Sequence, residues 1–476
     1  MVHEVHSRVS PPLLRTGDCA LVLAEALRCG GDWAEIFAER RDSQTVRLDG
    51  GSVAEIRSDR DAGAGVRIVA DGRTGFAYTN VLTRSALLEA AQAAAATMTS
   101  NSPRKDPTRV DLRVRAAPVV QRSADPGASA ETGDTVELLR RIDFAARESG
   151  GEIHNVAVTC VAVSQEVMVA TTDGLVSTDN RVRTRVTCRV TARREGRLET
   201  GFCGPGAGTG MELYADWPPE TVGTEAAKRA LRALEGADPP RGVLPVVLGS
   251  SGGGLLLHEA CAHGLEGDGL TRNSSVFAKT RGEQVGSRLV NAYDDPSLDL
   301  GYGSYGADDE GAVSTPTTLM EDGTQLGALT DRATASLLGQ TSSGNGRRES
   351  YAHPALPRMS NTFIAAGTDK SDAIIGDVRR GVYVAALKGG DVDITNGEFA
   401  FAASEAYLIE HGRVTQPLAG LTLLGNGPAA LASIAAVGDD LSFTQALCGK
   451  EGQWVPVSYG SPTLLVTGLT VSGRQS

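Results

Sequence analysis

Apolar and polar positions along the first 240 residues describe two successions of helix and strand. Residues 18–29 (DCALVLAEALRC) place Leu21, Leu23 and Leu27 among small residues and predict a helix that Gly30 and Gly31 stop. Four short β-type runs follow, AEIFAERR, TVRLDGG, SVAEIRSD and GAGVRIVADGRTGFAYTN, with turn residues between them. An Ala-rich helix is expected from about Thr83 to Met98. The outline then recurs without residue-level repetition. A helix over VELLRRIDFAARE precedes strands near 153–162, 165–172 and 180–201, and a second helix near 222–235 ends at Gly236. Residues 1–16 read as a loose tail, and the Ser/Pro/Gly/Ala segment 122–134 reads as a linker. GADPPRG, 236–242, is the clearest boundary, because its prolines cannot continue a helix. Beyond it, GVYVAALKGG, GEFAFAASEAYLIEHGRV and PTLLVTGLTVSG alternate apolar and polar residues, and one helix stands out near 254–264.

The fold class expected from this is α+β: helices packed on antiparallel strands in the N-terminal half, mostly antiparallel β with a single prominent helix in the C-terminal half. The domains expected are 17–121, 134–236 and 243–476.

Composition narrows the function. The 476 residues carry 46 Lys and Arg against 58 Asp and Glu, a net charge of −12 with no basic block, which argues against nucleic acid or an anionic membrane as the main partner. No apolar run is long enough to predict a transmembrane helix, and the N-terminus lacks the basic-then-apolar order of a signal peptide. Seven scattered cysteines make no disulfide framework, so a reduced, cytoplasmic protein is expected. Glycine is abundant (57 residues) and aromatics are only 4%, which favours many turns and close backbone approaches over a greasy binding surface.

The chemistry concentrates in VLPVVLGSSGGGLLLHEACAHGLEGDGL, 243–270, where an apolar strand enters a Gly/Ser turn and then a helix bearing His258, Glu259 and His263. The spacing is His-Glu-x-x-x-His. Histidines at i and i+4 share a helix face, but i and i+5 lie about 140° apart on a regular helix. Either a π-bulge returns both histidines to one face, or Glu259 and His263 form the ligand pair. The bulge is the preferred expectation, because it leaves Glu259 free as general base. Two imidazoles, a third protein ligand and one open position would suit zinc and activate a water. A core histidine on an apolar helix is the plainer alternative.

Two other readings compete. Gly249-Ser250-Ser251-Gly252-Gly253 matches Gly-x-Ser-x-Gly, with Ser251 as nucleophile and His353 or His411 as base. That elbow belongs to a parallel sheet, whereas the surrounding runs look antiparallel. The bland alternative is that the glycines allow a tight turn and close packing. The other reading is a non-catalytic regulatory binding protein. No Lys-Ser/Thr follows the glycines, so a phosphate-binding loop is not expected.

GGGLLLHEACAHGLEGD resembles the signature helix of the TldD/PmbA family of modulator-of-gyrase metallopeptidases. NAYDDPSLDLGYGSYGADDEG (291–311), SSGNGRRESYAHPALPRMSNTFIAAG (342–367), GGDVDITNGEFAFAASEAYLIEHGRV (389–414) and CGKEGQWVPVSYGSPTLLVTGLTVSG (448–473) are similar to further family segments. The resemblance implies a cytoplasmic zinc-type metallopeptidase, with iron as the alternative ion, acting on short unfolded peptides. The chain would be the catalytic TldD-type subunit, partnered by a TldE/PmbA-like paralogue or by a second copy of itself. The resemblance also implies a third ligand, Cys448, whose plainer alternative is a small buried core residue. Cys261 is a rival by position, but next to both histidines it could not easily point at the same ion and is expected to be structural. Asp308, Asp309, Glu310, Arg347 and Arg348 are expected on a solvated face, with contact to peptide termini or to developing charge as the alternative. His353 and His411 are expected to be structural.

Overall fold

The computed structural model describes residues 12–70, 73–98, 111–118 and 131–473. Most of the expected tail and linker lie outside the described residues. Within them, Thr16 and Thr132 already open the helices Thr16–Ala26 and Thr132–Arg147. The chain is a mixed α+β protein with antiparallel sheets. No helix among the described residues is long and apolar enough to cross a membrane.

The four short runs expected between 34 and 80 are in fact the long strands Trp33–Asp49 and Ser52–Ala70, with Arg73–Thr79 after them. Asp42, Ser43 and Gln44 look like a turn in sequence. They continue the strand because both its edges are taken, by Arg60, Asp59 and Ser58 on one side and Ser164, Val163 and Ala162 on the other. With every backbone group laddered, local polarity does not break the strand. Ile153–Thr171 likewise replaces two expected strands, and Leu175–Arg194 and Arg197–Cys203 replace one. Trp33–Asp49 pairs with Ile153–Thr171, so both N-terminal segments build one eight-stranded sheet.

Strand periodicity assigns that sheet two faces. Even-numbered residues of Trp33–Asp49 face helices. Ala34, Ile36 and Ala38 pack with Thr16–Ala26 and Arg84–Ala96, and Val46 and Leu48 pack with Thr132–Arg147 and Pro219–Glu235. Odd-numbered residues face the C-terminal half. Phe37, Val167 and Val169 meet Tyr351, and Glu39 accepts a hydrogen bond from the Tyr351 backbone N–H at 2.7 Å.

That interface corrects one expectation. Asp308, Asp309, Glu310, Arg347 and Arg348 are all buried. Arg67 from the sheet pairs with Glu35 (2.8 Å), Glu310 and Asp331 (3.7 Å), Arg348 with Glu35 (2.5 Å), and Arg181 with Asp309 (2.7 Å). Charge in a sequence suggests surface. Here Asp309, Glu310 and Arg348 are instead matched by charges arriving from distant segments, while Asp308 accepts backbone N–H groups and Arg347 donates to backbone carbonyls, the conditions under which burial is tolerated.

In the C-terminal half, Gly242–Leu248 pairs with Leu464–Ser472 and, in parallel, with Arg380–Asp393. Glu398–Glu410 pairs both with Thr422–Asn426 and back with Arg380–Asp393, which closes this seven-stranded sheet on itself. A six-stranded sheet ends with the hairpin Ser442–Lys450 and Gln453–Ser461, and Ser442–Lys450 is its outermost strand. The helix Ser250–Ala260 packs against strands of both sheets within one apolar core.

Candidate metal centre

The glycines ahead of the histidines set how closely that helix approaches the hairpin. A Cβ on Gly254 would lie 2.9 Å from the backbone nitrogen of Gly460, and one on Gly253 would lie 2.3 Å from Ser461 Oγ. Only glycine permits this approach, and it sets the His258 ring 5.6 Å from that of Tyr459.

The rotation needed at His263 does not come from a π-bulge. The α-helix ends at Ala260, Cys261 leaves helical geometry (φ −129°, ψ −56°), and a 3₁₀ turn, Ala262–Leu265, follows. The break swings His263 back towards His258, and the ring centroids stand 5.1 Å apart. Cys261 is fully buried and desolvation pushes its thiol well up, the condition of an inert core cysteine.

Cys448 arrives from the hairpin with Sγ 3.3 Å from His263 Nε2. One donor atom from each of His258, His263 and Cys448 lies within 4.8 Å of the others. His258 and Cys448 are buried and His263 nearly so. Burial opposes ionisation of Cys448, but the two imidazoles outweigh it and bring its thiol down to about 4. His263 is raised well above its ordinary value: desolvation opposes the charge, and Glu266 and Cys448 overcome it. A thiolate and two imidazoles form a soft donor set, and His258 Nδ1 is buried with no hydrogen-bond partner. Both features fit a metal ion such as zinc, with three protein ligands leaving a fourth position open.

Glu259 is not in that cluster. Its Oε2 stands 3.8 Å from His263 Nε2, its side chain is 29% exposed, and it lines a recess of about 330 Å³ shared with His263, Glu266 and Lys450.

Sequence reasoning missed Glu266. It accepts a hydrogen bond from His263 Nδ1 at 2.9 Å, which leaves Nε2 free towards Cys448. Lys450 Nζ holds Glu266 at 2.9 Å and Asp268 at 2.7 Å. The carboxyl of Glu266 sits at about 2: desolvation raises it, and His263 and Lys450 more than reverse that. The signal was present as a glutamate three residues past His263. Glu266→Gln is expected to weaken metal affinity about 10–100-fold, read by competition with a chelator. Because its folded value is depressed, the carboxylate's contribution to stability is full above its unfolded value of about 4.3 and is lost as pH falls towards about 2. The parent should therefore lose more stability over that window than Glu266→Gln.

The serine reading gains no support. Among the described residues Ser251 makes no side-chain hydrogen bond. His353 Nδ1 contacts Ser350 Oγ at 3.0 Å, and His411 occupies a left-handed turn (φ 52°).

Family models match along the chain: the PmbA/TldA metallopeptidase domain 1 over 34–97, the central domain over 125–234 and the C-terminal domain over 241–473. The metalloprotease TldD homolog of Haemophilus influenzae is 37% identical over 451 residues, covering 93% of each chain. The chain belongs to the PmbA/TldD metallopeptidase family. A zinc metalloprotease TldD homolog of Saccharolobus solfataricus is 33% identical over 247 residues, 52% of this chain and 55% of that one. TldE from Thermococcus kodakarensis shares the fold, with a TM-score of 0.74 at 20% identity over 96% of this chain and all of that one. The PmbA/TldD C-terminal domain is the one that holds His258, His263 and Cys448.

Proposed function

We propose that this chain is the catalytic subunit of a TldD-type zinc metallopeptidase that hydrolyses short, unfolded peptides. The observation that carries the reading is the meeting of His258, His263 and Cys448 from two segments 185 residues apart, with Glu259 beside them. A zinc ion held by these three residues would polarise the scissile carbonyl and acidify a water. Glu259 takes the water's proton as general base and returns it to the departing amine. Glu266 keeps the His263 tautomer fixed through both transfers. Lys450 holds Glu266 in place.

The recess accounts for the substrate class. The candidate ligands sit beneath the surface, so a folded protein cannot bring a bond to them. An extended chain can lie along Ser442–Lys450, the outermost strand of its sheet, and gain backbone hydrogen bonds with little side-chain preference. A thiolate ligand and seven cysteines without a disulfide suit a reducing, cytoplasmic setting. The proposed partner is a TldE/PmbA-like paralogue or a second copy of this chain.

Removing the metal with a strong chelator should abolish cleavage of an unstructured peptide, and stoichiometric zinc should restore it. Metal analysis of the purified protein should find about one ion per chain, with iron the alternative to zinc. Cleavage that survives complete metal removal would overturn the proposal.

A further inference from the structure

A cavity of about 340 Å³, separate from the recess beside Glu259, lies between the odd-numbered face of the N-terminal sheet and the hairpin Ser442–Lys450/Gln453–Ser461. Its lining carries six arginines against two acids, Asp309 and Glu349, the latter taken by the Trp454 backbone N–H at 2.8 Å, so it is net cationic in a chain that carries −12 overall. Arg181 and Arg348 on its wall are matched by Asp309 and Glu35. Arg41, Arg183, Arg185 and Arg347 have no carboxylate within ion-pair reach among the described residues. Arg183 donates to the carbonyls of Tyr302 (2.9 Å) and Ser304 (3.0 Å), and Arg347 to those of Met359 (2.5 Å) and Pro456 (2.8 Å) while lying over the Tyr305 ring. Arg185 reaches the Gln445 carbonyl at 2.9 Å, and its Nε is buried with no partner. Carbonyl dipoles orient a guanidinium without cancelling its charge. Burial, then the like charges of Arg181 and Arg347, bring Arg183 down to about 9, so the field in the cavity favours an incoming anion.

The opposite wall is apolar and belongs to the strands that deliver Cys448. Leu447 pairs with Pro456 and Gly449 with Trp454, which puts Leu447, Pro456 and Trp454 on the cavity face; Cys448, paired with Val455, takes the other face. Leu447 and Trp454 are 48% and 56% exposed. Arg185 grips Gln445 on the outermost strand, the strand that carries Cys448. Gln445 and Cys448 are three residues apart, about 10 Å of strand.

We propose that this cavity receives the C-terminal carboxylate of the peptide substrate. Arg185 and Arg183 are the main partners of the carboxylate, and the last side chain rests on Leu447 and Trp454. The inference builds on the peptidase reading above and specifies where that enzyme cuts. Anchored there, a chain running along the outer strand from the level of Gln445 to that of Cys448 presents a bond roughly three residues from its C-terminus to the Glu259 side. An inorganic anion would satisfy the arginines but would leave the exposed apolar wall unused.

The test compares an N-acetylated neutral octapeptide as free acid and as C-terminal amide, using the full chain with its metal. The free acid should be cleaved with a kcat/KM about tenfold or more above that of the amide, mainly through KM, and short C-terminal fragments should appear first. Arg185→Gln should erase the preference, bringing the kcat/KM ratio of free acid to amide close to one. Arg41→Gln, which breaks no side-chain hydrogen bond among the described residues, should reduce the preference and guards against a misfolded Arg185 variant. Equal cleavage of acid and amide by the parent overturns the inference. So does an equal loss on both substrates in both variants. Inorganic phosphate that binds the parent but not Arg185→Gln, with no acid–amide difference, assigns the cavity to a free anion and also overturns it. If neither peptide is cut, the hydrolytic reading fails separately, and calorimetry on the Glu259→Gln protein decides the carboxylate site: tighter binding of the acid supports it, and equal binding refutes it.

Discussion

Replacing Glu259 with Gln is expected to cut kcat by about 10²–10⁴-fold while metal content stays at the parent level. The amide keeps the shape of the side chain and loses the ability to accept a proton. The position of Glu259 separates its two candidate roles. It stands 3.8 Å from His263 Nε2, partly exposed to the recess, and outside the trio of converging donor atoms. A ligand role predicts loss of metal in this variant, and a general-base role predicts loss of turnover alone. Metal analysis together with steady-state kinetics on one unstructured peptide separates them. An active, metal-loaded Glu259→Gln would remove this residue from the chemistry.

Arg67→Met should cost about 3–5 kcal/mol of stability, measured as a shift in the denaturant midpoint. Arg67 is fully buried and faces Glu35, Glu310 and Asp331. Desolvation, with Asp331 and Glu35 adding to it against the pull of Arg67, lifts the Glu310 carboxyl to about 8. Deleting the guanidinium leaves Glu310 and Asp331 buried with no ion-pair partner among the described residues, and Glu35 with Arg348 alone. The damage should be partly reversed in the double variant Arg67→Met/Glu310→Gln, since one of the stranded acids is then gone. A cost below about 1 kcal/mol would mean the cluster is wetter than its geometry shows.

The legible parts of this protein were those whose signal is local. The prolines of 236–242 and the glycines after Cys29 mark where elements stop, and the alternation in GEFAFAASEAYLIE marks a strand. His258 and His263 were legible as a pair, but the means of bringing them together was not. A π-bulge and a helix break both supply rotation, and Cys261 took the second route. Cys448 could be named only through family resemblance, because no pattern within the chain ties it to a helix 185 residues earlier. Asp308, Asp309, Glu310, Arg347 and Arg348 were misread for a related reason. Whether a charge is exposed depends on what folds over it, and here that is a strand more than 200 residues away in sequence.

The buried charges between the sheet and the C-terminal half also constrain how relatives can be recombined. Sequence models split the chain into three units, yet Trp33–Asp49 joins the first two into a single sheet, and Arg67, Glu35 and Arg181 close against acids and arginines of the third. A chimera spliced at the proline-rich boundary would inherit half of each charge set from each parent. Its success would depend less on overall similarity than on whether the two parents wrote the same electrical code across that seam.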